Sequence, residues 1–152
     1  MQEKLREAEQ RLFWGMSLPD QRHVLNVAYT AIRLAAGKEN LDVQLLVRCA
    51  LLHDVGRQNG DVSTWDKIIA VLLHAAMPKA AMSWAKEGRG GKIDNVRHAV
   101  YIYFNHPKRS AIFLREIGTE SDVIEIVSRH HKAPVKDEPP ELALLRQADS
   151  LN

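Results

Sequence analysis

Cysteine is nearly absent from this chain: Cys49 stands alone among 152 residues. A lone thiol forms no intramolecular disulfide, and such usage fits a reducing compartment. Charge of one sign is lacking too. Lys and Arg number 21 against 19 Asp and Glu, a net charge of +2, too little to argue for a nucleic-acid partner. No long hydrophobic run is present. The greasiest stretch, IIAVLLHAAM at 68–77, holds His74 and closes at Pro78 and Lys79, whereas a spanning helix needs roughly 20 apolar residues. The opening MQEKLREAEQRLFWGM is charged throughout and has no uninterrupted apolar core of a secretory signal. The expectation is a cytoplasmic protein without a transmembrane segment. Strand-like alternation between hairpin turns is missing as well.

What is there reads as helix. Hydrophobic residues make up 45% and charged residues 26%, the balance of an ordinary globular protein with enough chain for one core. The pattern predicts helices over 3–15, over 19–36 and over 42–55. Pro19 sits in the first turn of the second, with Gly37 just past its end. Asp42 is the N-cap of the third. Val43, Leu46, Ala50 and His53 share one face of it, Leu45, Cys49 and Leu52 widen that face, and Gly56 stops it. A helix from Thr64 to about 76 follows, with Pro78 a kink or break. KEGRGGK at 86–92 is a mobile loop. Further helices run over 93–105, from Pro107 to Gly118, and from Thr119 or Ser121 to about 132. KAPVKDEPPE is a loop, and Pro140 opens a last helix through Asp149. With no repeat or linker, residues 1–152 read as a single all-α helical bundle, 1–18 its N-terminal helix and 19–152 its core.

Seven histidines lie on this pattern: His23, His53, His74, His98, His106, His130 and His131. One histidine on an apolar face is ordinarily a packed one. ALLHDVGR at 50–57 argues otherwise, because a buried face ends there in an imidazole followed at once by a carboxylate. An ionised carboxylate beside a core is costly unless a cation or several hydrogen bonds compensate it. Adjacent helical positions point about 100° apart, so His53 and Asp54 can reach around one cation, or Asp54 can bridge two. VIEIVSRHH at 123–131 repeats the pattern with two imidazoles. Such nitrogen and oxygen donors suit zinc, iron, manganese and similar metals. His23 in register with Val27, His106 at the start of a new helix, and Asp149 at the end of LALLRQAD are flanking candidates. Cys49, one turn before His53, has no identifiable activating partner and reads as core.

Taken in order, QRHVLNVAYTA, ALLHDVGR, NHPKRSAIFLREIG, IVSRHH and LRQADSLN resemble the HD-domain metal-dependent phosphohydrolases over most of the chain. The likeness is to their small stand-alone branch with an HDIG-type motif, here HDVG at 53–56. The His-Asp doublet alone is unspecific; the five elements in order carry the resemblance. It implies an HD-type bundle with two divalent transition metals, whether iron, manganese, zinc, cobalt or nickel. His23, His53, Asp54 and Asp149 would hold one; Asp54, His106, His130 and His131 would hold the other, with Asp54 bridging. Simple relatives keep only the first set. His74 and His98 match no ligand position. Three departures stand out. Ser110 takes the place of a glycine that relatives carry after His-Pro. Lys132, rather than a Gly-Tyr-Pro run, follows His131, which disfavours the cyclic-di-GMP branch. Pro19 stands where some of that branch carry a glutamate for a third metal.

Two divalent ions bring about +4, and two aspartates with a bridging hydroxide remove about three. Such a site attracts an anionic phosphate ester. The resemblance therefore implies a phosphatase or phosphodiesterase in which a metal-bridging hydroxide is the nucleophile. Its substrate is expected to be a nucleotide or other small phosphate ester, with Asp54 and Arg57 catalytic. Arg57 resembles the basic residue that often follows the motif. Its guanidinium can grip phosphate bidentately, or simply answer the helix dipole. Lys108, Arg109 and Lys132 neighbour the ligand candidates and are candidates for a substrate-binding rim. WDKIIAVLLHAAMPKAAMSW at 65–84 reads as a core helix covering the site. A substrate lid, a dimer face or a membrane-surface helix are its alternatives. For the whole chain there are two other readings. One is a di-iron oxygenase of HD fold, whose relatives carry single histidines where this chain has a doublet. The other is a non-catalytic sensor or binding module, which the full ligand set disfavours.

Overall fold

The computed structural model describes residues 4–152. Among the described residues there are eight α-helices: α1 (Glu7–Gly15), α2 (Leu18–Ala35), α3 (Val43–Leu52), α4 (Thr64–Ala76), α5 (Pro78–Trp84), α6 (Lys92–Glu116), α7 (Ser121–Arg129) and α8 (Pro140–Ser150). The one β feature described is an isolated bridge between Met16 and Gln58. The all-α expectation holds. The start of the expected first helix at residue 3 lies outside the described residues, and α1 itself begins at Glu7.

Local chemistry sets the ends. Asp42 caps α3 by accepting the backbone N–H groups of Gln44 and Leu45, both at 2.9 Å. Ser17 caps α2, with Pro19 in its first turn. Ser63, rather than Thr64, caps α4, accepting the Asp66 N–H at 3.2 Å. Neither Thr119 nor Ser121 caps α7: Glu120 holds that position, and the Thr119 hydroxyl donates instead to Glu9. Gly118 ends α6 at φ +69°, a left-handed conformation glycine adopts without strain.

The main core gathers α1, α2, α3, α7, α8 and the far end of α6 around Phe13, Val24, Leu46, Leu52, Leu114 and Leu145. A smaller cluster of Ala70, Ala81, Ala99 and Val100 seats α4 and α5 on the near end of α6. α6 is thus common to both. It has 25 residues, a rod about 37 Å long.

Two expectations are corrected here. Pro107 does not open a helix; it lies inside α6, which runs unbroken past it. Nor is 65–84 a core helix. It is two helices meeting at Met77, and only Ala70 and Ala81 are buried in them, while Trp65 and Leu72 are 76% and 62% exposed. Small alanines make the buried contact with α6, with Leu73 partly buried beside them, and most of the large apolar side chains are left outside. No helix among the described residues is long and apolar enough to cross a membrane.

α1 is held down by a buried charge. The Glu9 carboxylate accepts from Arg48 Nε at 3.1 Å and Nη2 at 2.6 Å, from the Thr119 hydroxyl at 3.1 Å and from the Arg6 backbone N–H at 3.0 Å. Burial pushes this carboxyl up, but the Arg48 bonds and the Arg6 N–H outweigh it and leave its pKa lowered. Breaking a buried pair by removing one partner is costly, so Glu9→Gln is expected to destabilise the protein by about 3 kcal/mol. Urea unfolding reads this directly, and a change within error would show that α1 docks without the pair.

Candidate metal centre

The cluster begins with three helix-borne histidines and their backbone. His53 and His130 follow the last residues of α3 and α7, where terminal carbonyls have no intrahelical donor. Each ring folds back onto one of them: His53 Nδ1 lies 2.8 Å from Ala50 O, and His130 Nδ1 lies 2.6 Å from Val127 O. His106 reaches the same contact in mid-helix. Pro107 has no N–H to give Tyr103 O, and the His106 ring takes that role, with Nδ1 at 2.7 Å. This substitution accounts for the unbroken path of α6. A carbonyl oxygen only accepts, so Nδ1 carries a proton in all three rings, and in the neutral imidazole Nε2 is then the lone pair.

The three Nε2 atoms face one carboxylate. Asp54 Oδ1 is 3.2 Å from His106 Nε2, 3.8 Å from His53 Nε2 and 4.0 Å from His130 Nε2. Asp54 Oδ1 and the Nε2 atoms of His53 and His130 are buried without a hydrogen-bond partner. Asp149 completes one side, its Oδ1 3.0 Å from His23 Nε2 and 3.6 Å from His53 Nε2. His131 Nε2 lies 3.8 Å from Asp149 Oδ2. Three groupings have donor atoms within 4.8 Å of one another: His23, His53 and Asp149; His106, His130 and His131; and His53, Asp54 and His130. All seven ligand candidates of the sequence are therefore brought together, four helix ends and α6 converging on Asp54.

Charge follows the geometry. Burial, the largest influence, would raise the Asp54 carboxyl, but Arg57 and the three histidines hold it well below the usual carboxylate range. Burial pushes His106 down to about 3 against the pull of Asp54, and drives His130 well below the ordinary value. His131 is lowered by burial as well. His53 goes the other way: burial lowers it, but Asp54 and Asp149 raise it further. Ionised carboxylates and neutral imidazoles are the states in which these groups bind metal. Asp54, His106, His130 and His131 are thus held in the binding form, while His53, with its raised pKa, gives up a proton when it binds. Buried acceptors aimed at one another without a donor between them fit a divalent cation.

Backbone closeness sets the register. A Cβ on Gly56 would lie 2.5 Å from His106 O and 2.7 Å from Ser110 N, so only glycine lets the end of α3 meet α6 here. Ser110 does more than fill a small position: its hydroxyl donates to His53 O at 2.8 Å and accepts the Gly56 N–H at 2.8 Å. Arg57 reaches in from the rim, its Nη1 3.1 Å from Asp54 Oδ2 and its Nη2 donating to His106 Nε2 at 3.1 Å. Arg109 pairs with Asp61 at 3.0 Å and lies over the Phe113 ring. Among the described residues no hydrogen bond or ion pair joins Lys108, Arg109 or Lys132 to the cluster. His74 packs at an angle against the Tyr103 and Phe104 rings, and His98 accepts the Gly88 N–H; neither belongs to a grouping of the cluster.

Pro107→Ala is a direct test of the ring-for-backbone exchange. The new N–H competes for Tyr103 O and frees the His106 ring to turn. Loss of such an orienting bond weakens metal binding by about tenfold or more. The helix should gain stability, since interior proline costs about 3 kcal/mol against alanine. Metal titration beside thermal unfolding reads both; unchanged affinity in a stabilised protein would show that Tyr103 does not orient the ring.

The HD domain family model matches residues 21–152, a span that includes every residue of the cluster, and the chain belongs to that family. HD domains are all-α, bind divalent metals and are mostly metal-dependent phosphohydrolases. No curated protein and no solved structure matches the chain.

Proposed function

We propose that this protein is a metal-dependent phosphohydrolase with a dinuclear centre, acting on a small phosphate ester. His23, His53, Asp54 and Asp149 would hold one divalent metal and Asp54, His106, His130 and His131 the other. The observation that carries this reading is the convergence of buried, unpartnered acceptors on Asp54 Oδ1. When bound, divalent metals supply a more acidic water and polarise a phosphoryl oxygen.

The residues do the rest. Asp54, 1% exposed, holds negative charge between the two halves of the cluster. The backbone bonds of His53, His106 and His130 keep their lone pairs inward. Arg57, 25% exposed on its side chain, can turn its planar donors from Asp54 and His106 to a phosphate oxygen. Cys49 takes no part as a nucleophile: it is fully buried, and burial pushes its thiol up.

The test is phosphate release by metal-reconstituted protein from a panel of phosphomonoesters and diesters, without oxygen and with metals quantified first. Anaerobic release supports the proposal. In a parallel aerobic run, consumption of oxygen with an iron signal would make the protein an oxygenase, and metal binding without turnover in either would make it a binding module. In Arg57→Ala the KM is expected to rise about tenfold to a hundredfold, the worth of a charged hydrogen bond, with metal content kept. An unchanged KM puts Arg57 beyond reach of the phosphate.

A further inference from the structure

A cavity of about 100 Å³ opens between α4 and α6, walled by Val62, Ala70, Val71, Ala99, Ile102 and Tyr103. Two cations complete its lining, Arg57 and Lys67. Arg57 belongs equally to the cluster, bonding Asp54 and His106, and the Tyr103 carbonyl fixes the His106 ring. The cavity and the cluster thus share Arg57 and Tyr103. Lys67 sends its ammonium to Asp20 Oδ2 at 2.6 Å, so toward the cavity it offers its methylene stem. No side-chain amide or carboxylate lines the space.

We infer that this cavity receives the organic group of the substrate, and that the group is compact and apolar: a short-chain or small-ring phosphate ester, not a nucleotide. The inference takes the phosphohydrolase reading of the cluster as given. Size is the first argument. A protein cavity of about 150 Å³ holds one benzene, so this smaller one admits a few carbon atoms but no purine. Polarity is the second. Apart from the Tyr103 ring and hydroxyl and the two cations the walls are alkyl, and a base carries more donors and acceptors than that lining can meet, so it would bury unpaired groups and be rejected. Charge is the third, since Arg57 stands at the junction of the cavity and the cluster, where the phosphate of an ester held in both would lie.

The experiment compares butyl phosphate, methyl phosphate and a purine nucleoside monophosphate with the metal-loaded protein. Each methylene moved from water to an apolar wall is worth severalfold, so kcat/KM for butyl phosphate should exceed the other two by about tenfold or more. Ala99→Leu fills the cavity from α6. Val71→Phe fills it from the exposed side of α4, so that one variant remains if the other misfolds. In each the butyl-to-methyl ratio should collapse toward unity, a ratio that partial unfolding does not alter. Calorimetry with butylphosphonate and methylphosphonate reads the same ratio without turnover. A nucleotide preferred, or a ratio unmoved in both variants, overturns this inference and leaves the phosphohydrolase reading standing. No phosphate from any ester overturns that reading, and the phosphonates then decide alone: selective butylphosphonate binding lost in the variants upholds the cavity, equal binding of the two phosphonates overturns it.

Discussion

Asp54→Ala is expected to lose both metals, from about two per chain to none, and to lower kcat/KM for phosphate release by at least about a thousandfold. The reason is position as much as charge. Asp54 is buried, with His53, His106 and His130 around one oxygen and Arg57 on the other. Without it, two divalent ions would rest on five imidazoles and the single charge of Asp149, a net of about +3 in a partly dry site. Asp54→Asn separates charge from shape: it keeps an acceptor oxygen and the volume, and should fail as fully. His131→Ala is the contrast. Its side chain is 52% exposed and packs against the His106 and His130 rings. Although its Nε2 lies 3.8 Å from Asp149 Oδ2, it is a proposed ligand of the second metal alone, so its loss should mainly empty that position. Elemental analysis of the three variants decides, and full metal occupancy in Asp54→Ala would end the dinuclear proposal.

Much of this was legible in the residues, and what was not has physical reasons. Asp42, Gly37 and Gly118 mark helix ends because caps act within a few residues. The His-Asp and His-His doublets were legible because a buried face rarely ends in such groups. Pro107 misled, since an interior proline and a first-turn proline look alike along the chain; what distinguishes them is a His106 ring that replaces the missing donor. The segment 65–84 misled through composition. A greasy helix is expected to bury its largest side chains, but here close approach to α6 is made by Ala70 and Ala81. Glu9 gave no local signal at all: its partners Arg48 and Thr119 lie 39 and 110 residues away. The roles of Gly56 and Ser110 likewise exist only where α3 meets α6.

Acid is expected to unfold the metal-free protein in two stages, the first beginning below about pH 6.5. Burial, opposed in part by Asp54, holds His106 down to about 3, and burial holds His130 well below the ordinary range. In the unfolded chain both accept a proton near about 6.5. Between those values the unfolded state binds more protons, so stability falls as pH falls. For His106 alone the loss by about pH 4.5 is about 3 kcal/mol, and His130 adds to it. His53 does not offset this. Its folded pKa is raised, because Asp54 and Asp149 outweigh burial; its contribution is therefore complete below about 6.5 and is lost only as pH rises through the folded value. The second stage belongs to the carboxylates. Asp54 and Asp149 are depressed, cation and hydrogen-bond partners outweighing burial, so their contribution is lost below about pH 4. Urea unfolding with chelator from pH 7 down to 4.5 measures the first stage, and His106→Gln, which cannot titrate, should flatten it. A protein equally stable at both pH values would mean that these imidazoles are not kept neutral, and with that the lone pairs needed to hold a metal would not be waiting in the fold.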